Sequence, residues 1–172
     1  MAVVQNSNIM TNNLATPPTL NDVAVNGGRV RCVVDSFEVN AAGSTGVDAD
    51  GDYFLLCRLP SKARILQFWV SSDALDSGSN VALNYGIYTT GGTVKDEDIF
   101  ASAVAHHGAI ALTDARFEAA ATNISNWQSP LYTLAGDSSD PGGFYDIAAT
   151  NTAGSSGLQA GTLAFMIMYT VD

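Results

Sequence analysis

The sequence predicts an all-β fold: a β-sandwich or jelly roll with one or two short helices and an extended N-terminal arm. Three observations carry this reading. About seven or eight short stretches either alternate apolar with polar residues or are apolar throughout, as half-buried and fully buried strands are. The segments between them are rich in Gly, Ser and Asp, the residues of turns. Only one stretch carries a clear helical stripe.

Residues 1–27 form the arm. They are rich in Asn and Thr, hold Pro17 and Pro18 near their middle, and show no hydrophobic period. Such an arm takes a fixed path only by packing along its own domain or on a neighbouring subunit. Asn26-Gly27-Gly28 is a turn signal, and the sandwich domain follows over residues 28–172. RVRCVVDSFEVN reads as a long strand. Val30, Cys32 and Val34 share one face, after which the apolar positions change phase to Phe37 and Val39. A period of two changes phase only with an extra residue, so a bulge is expected near Asp35-Ser36. YFLLCRL, from Tyr53 to Leu59, is apolar on both faces, which suits a central strand, and Pro60 ends it. ILQFWVS is a further strand, with Leu66, Phe68 and Val70 on one face. Val81, Leu83, Tyr85 and Ile87 alternate before Gly91-Gly92 interrupts the pattern.

DEDIFASAVA, residues 96–105, is the helix candidate. Acids crowd its first turn, and Ile99, Phe100, Ala103 and Val104 make one stripe. TDARFEAAA, residues 113–121, is a second helical turn. Strands resume at PLYTLAG, at FYDIAAT and at TLAFMIMYTV, the last apolar on both faces and so central.

With 172 residues the chain suffices for one domain that buries roughly 70% of its unfolded surface. Charged residues are only 14% of it, against a typical ~25%. The surface is therefore weakly polar and readily desolvated against a partner. The net charge of −10 argues against nucleic acid as a partner, because phosphate binding needs clustered Lys and Arg. Arg29, Arg31, Arg58, Lys62 and Arg64 nevertheless gather between positions 29 and 64. They are either solvated strand-edge charges or a small basic face for an acidic protein partner, with Arg58, Lys62 and Arg64 as its candidates. No apolar run reaches the ~20 residues of a membrane helix. The N-terminus lacks the features of a secretory signal, so a cytoplasmic site of synthesis is expected. Cys32 and Cys57 are then expected to be buried thiols on strands, with no need to pair.

Candidate chemical sites are few. DADGDY places Asp48, Asp50 and Asp52 at alternate positions, like the start of a calcium loop. The glycine and glutamate that an EF-hand loop needs at positions six and twelve would fall on Tyr53 and Leu59, and both fail. A looser cation site and a plain Asp-Gly hairpin turn remain the two readings. His106-His107 are the only histidines; adjacent positions on a helix seldom chelate one metal, and a polar helix end is expected. Gly154-Ser155-Ser156-Gly157 lacks the spacing of a nucleophile elbow. Trp69, Trp127, Tyr85, Tyr88 and Tyr132 serve either as core filling or as a sugar platform. Nothing composes a catalytic constellation, and neither an enzyme nor a cofactor is expected.

Several segments in order carry a resemblance. NGGRVRCVVDSFEV precedes DGDYFLLCRLPSKARILQFWVSSDAL; NVALNYGIYTTGG, DEDIFASAV and LYTLAGDSSDPGGFYDIAATNTAG follow, and GTLAFMIMYTVD closes the chain. Over residues 26–172 this resembles small structural proteins of tailed bacteriophages that decorate or cement the capsid. The resemblance implies a β-sandwich that oligomerises, often as a trimer, on the capsid exterior of a virion. It also implies a site where subunits of the major capsid protein meet, and no catalytic residues. A tail, neck or fibre-base component would share the same β-rich texture. A carbohydrate- or calcium-binding module is the reading from another class.

Overall fold

The computed structural model describes residues 15–17, 29–40, 49–76, 78, 81–116, 126–152 and 158–171. Among these residues eight strands and one short helix follow one another: β1 (Arg29–Val39), β2 (Tyr53–Pro60), β3 (Arg64–Ser72), β4 (Ala82–Thr89), β5 (Val94–Ala105), β6 (Ile110–Asp114), α1 (Leu131–Leu134), β7 (Phe144–Asn151) and β8 (Gly161–Val171). They form two four-stranded antiparallel sheets, in the orders β1-β8-β3-β6 and β2-β7-β4-β5. Every connection but β4–β5 passes from one sheet to the other, and this strand order is the jelly roll of the all-β sandwiches.

The core lies between the sheets because each strand turns alternate residues inward. From the first sheet come Ile65, Phe68 and Val70 of β3 with Leu163, Phe165 and Ile167 of β8. The second sheet contributes Leu83, Tyr85 and Ile87 of β4, Phe100 of β5, and Ile147 of β7. Phe68 is central, meeting Tyr85 edge-on at 5.5 Å and Phe100 at 5.8 Å between ring centroids. Burying each such side chain contributes roughly 1.5–3 kcal/mol.

The two-sided apolar pattern of the last strand places it correctly: β8 lies between β1 and β3. The same pattern misleads for β2, which is an edge strand with Leu55 56% exposed. Residues 96–105 are not helical. They belong to β5, paired with β4 through three register shifts that turn Ile99, Phe100 and Ala101 inward together. Local helical preference is outweighed because β4 buries six consecutive residues and its backbone needs a ladder partner there. Thr113 and Asp114 of the second proposed helical turn close β6 instead; residues 117–121 lie outside the described residues.

PLYTLAG is likewise not a strand but carries α1. Pro130 caps it, and the first two amide N–H groups donate to the β2–β3 turn, Leu131 to Ala63 O (2.9 Å) and Tyr132 to Ser61 O (3.0 Å). Those bonds satisfy donors that a helix start otherwise leaves open. The expected bulge at Asp35-Ser36 is absent, since β1 pairs with β8 in one unbroken register. Its change of phase has another cause: Phe37 and Val39 face the core, while Val30, Cys32 and Val34 lie on the opposite face.

Candidate interaction surface

The outward face of the first sheet is apolar where solvent normally selects polar residues. On β1 it presents Val30, Cys32 and Val34, with Val34 69% exposed. On β8 it presents Ala164, Met166 and Met168, all half-buried. Register aligns these rows, because Met166 stands opposite Val34 on one side and Trp69 of β3 on the other. Leu112 of β6, 61% exposed, closes the row. Val34, Met166 and Leu112 enclose a shallow concavity of about 540 Å³ floored by Ala164. A contiguous apolar area on an outer sheet face marks an interaction surface. The phase change in β1 and the two-sided β8 were its signals in the sequence.

Three of the basic residues singled out by position have partners within the chain. Arg58 on β2 holds the buried Asp146, its register partner on β7, in a two-pronged ion pair of 2.6 and 2.9 Å. Lys62 lies 3.8 Å from Asp140. The Asp140 carboxyl is held below its ordinary range by the Ser61 hydroxyl, then by the Gly142 N–H and by Lys62. Arg64 donates to the carbonyl of Gln128. It lines a small cleft with Lys62, Pro130 and Tyr132. Pro17 is exposed, and Pro18 lies outside the described residues.

DADGDY is not a hairpin tip, because β1 and β2 belong to different sheets. The segment crosses between sheets, and Gly51 takes the left-handed φ of 86° that the turn requires. Asp52 accepts the Ala49 N–H at 2.9 Å through its carboxylate. The Gly51 N–H donates to Asn151 O, and the Asn151 N–H to Asp52 O, both at 2.8 Å. These bonds dock the turn on the end of β7. Asp50 is exposed beside it, and Asp48 lies outside the described residues.

His106 is not a helix end. It is fully buried between the sheets, with Ser72 Oγ 2.8 Å from Nδ1 and Tyr85 Oη 2.9 Å from Nε2. Burial lowers its pKa to about 4 and drives the Tyr85 phenol far above its ordinary value. With Ser72 at 9% exposure and the other two at 0%, this Ser-His-Tyr chain is sealed from substrates and serves the core. Arg116, also fully buried, donates to Ile65 O and Asn126 O and lies 5.3 Å over the Phe100 ring. Nothing in the sequence distinguished it from a surface arginine.

The aromatics make no common platform. Tyr85 and Tyr88 are buried, Trp69 belongs to the outer face, and Trp127 donates its ring N–H to Leu66 O at 2.8 Å. The two cysteines are free and sit on different sheets. Cys57 is the partly buried one, its thiol pushed up to about 12 by burial and then by Asp146. Cys32 is exposed rather than buried, a consequence of its place on the outer face.

No family model matches this chain, and no curated protein matches it in sequence. Among solved structures, a chain in the capsid of Ralstonia phage GP4 aligns with a TM-score of 0.55 at 17% identity, covering 83% of this chain and 85% of that one. A chain in the capsid asymmetric unit of cyanophage Pam1 aligns with a TM-score of 0.49 at 14% identity, covering 84% of this chain and 86% of that one. The GP4 likeness extends over most of both chains, so the whole sandwich is a shared fold.

Proposed function

We propose that this chain is a structural protein of a phage virion that decorates the outside of the capsid and binds where major capsid subunits meet. One observation carries the reading: the whole jelly roll is shared with a chain of the Ralstonia phage GP4 capsid. The exposed apolar face of the first sheet supports it, since a protein that works alone in solvent has no use for such a face. The role is cohesive rather than catalytic. Apolar area supplies the affinity of each contact, and symmetry multiplies it over many copies. Residues 1–27, with Pro17 and Pro18, add a second contact in this scheme, and association as a trimer follows from the sequence resemblance. Arg58 and Lys62 act mainly within the domain, on Asp146 and Asp140, and orient the surface around them.

The test is the copy number of this chain in purified particles, measured by quantitative mass spectrometry against the major capsid protein. A number comparable with the capsid subunit is expected. A far lower number moves the chain to the neck or tail, and absence from the particle overturns the virion reading.

A further inference from the structure

We propose that the outer edge of β1 pairs antiparallel with β1 of a second copy of this chain, joining two first sheets across a twofold axis. The inference rests on the free chain alone and does not depend on the capsid reading.

Four strands stand at sheet edges among the described residues: β1, β6, β2 and β5. An open edge invites another strand, and natural proteins blunt edges by shortness, bulges, proline or charge. Three of the four are short or interrupted here. β6 is 5 residues long. β2 breaks register between Leu55 and Cys57 and ends in Pro60. β5 shifts register three times, holds Ala103 at a φ of 52°, and carries Asp96, Glu97 and Asp98. β1 has only the last of these devices, the charges of Arg29, Arg31, Asp35 and Glu38. Its 11 residues keep one register with β8, contain no proline, and are mostly exposed.

The order of charges along β1 selects the occupant. Arg29 and Arg31 stand near its start, and Asp35 stands after its middle on the same face. All three are exposed, and among the described residues neither Arg31 nor Asp35 enters an ion pair within the chain. An antiparallel copy centred on Val33 places Arg31 opposite the second copy's Asp35, and Asp35 opposite its Arg31. Arg29 then lies diagonal to that same Asp35, within reach of a long side chain. On the other face Cys32 stands opposite Val34 of the second copy, so the apolar outer surface continues across the axis. A parallel copy would set Arg against Arg and Asp against Asp. The strand is thus complementary to itself in one orientation, the requirement of a twofold contact.

The contact closes at two copies, or at six where a threefold contact forms elsewhere. Native mass spectrometry and sedimentation of the purified full chain should therefore give even-numbered assemblies. Arg31→Asp or Asp35→Arg alone sets like charges opposite each other at both symmetric positions and is expected to weaken association about tenfold. The double substitution restores opposite charges and with them the assembly. Both side chains are exposed, so the melting temperature should not move at concentrations low enough to dissociate the assembly. A chain that is only monomeric or only trimeric overturns the proposal. So does an assembly that the single reversals leave intact, or one that the double substitution fails to rescue.

Discussion

Acidification tests the buried His106 directly. The ring is fully buried, and its two nitrogens face Ser72 and Tyr85, so the neutral form is favoured and the pKa falls from 6.5 to about 4. The unfolded chain binds a proton as pH drops through about 6.5, while the folded chain resists until about 4. A depressed histidine thus supports stability fully above about 6.5 and loses that contribution as pH falls to about 4. The interval is roughly 2.5 pH units, and at about 1.4 kcal/mol per unit the loss approaches 3 kcal/mol. A domain of ordinary stability has only about 5–15 kcal/mol, so the effect is large. Carboxylates titrate in the same interval, and a variant isolates the histidine. Urea unfolding of the native chain and of His106→Gln should be compared at pH 7.5 and pH 4. The variant is less stable at pH 7.5 but loses about 3 kcal/mol less on acidification. Equal losses in the two proteins would refute the argument.

Three further outcomes follow from the geometry. A Cβ at Gly86 would lie 2.2 Å from Asp96 O and 2.3 Å from the Glu97 carbonyl carbon, so Gly86→Ala forces β5 off β4 and should cost at least about 3 kcal/mol in urea unfolding. A thiol reagent should label one cysteine quickly, the exposed Cys32, and the partly buried Cys57 far more slowly, because burial holds that thiol protonated up to about pH 12; fast labelling that survives Cys32→Ser would contradict this. Leu112→Glu should leave stability within about 0.5 kcal/mol, as exposed positions do, yet reduce co-sedimentation with phage heads that lack this chain. Undiminished binding would remove the outer face from the interface.

Much of the fold was legible because burial leaves a period in the sequence. The alternation in β4 and the unbroken apolar run of β8 led to the right elements, and β8 to its central place. Residues 96–105 misled because acids before an apolar stripe satisfy local helix rules, whereas a bulged strand opposite β4 leaves no period to read. PLYTLAG misled for the opposite reason: its helix is 4 residues long and exists by docking on Ser61 and Ala63, far away in sequence. The candidate surface was half visible. Val30, Cys32 and Val34 stood out as one face, but which side of the sheet faced solvent was not written in the pattern.

By itself the sequence determined that the chain is all-β, that β8 is apolar on both faces, and that few of its residues are charged. Those properties are local, sums over neighbouring side chains. Only the tertiary structure decided that β2 is an edge and β1 an uninterrupted one, that His106 lies within the core, and that Arg58 and Lys62 face Asp146 and Asp140. Each of these depends on which distant strand becomes the neighbour. Pairing and burial are set by the free energy of the whole sandwich, and no window of sequence contains that sum.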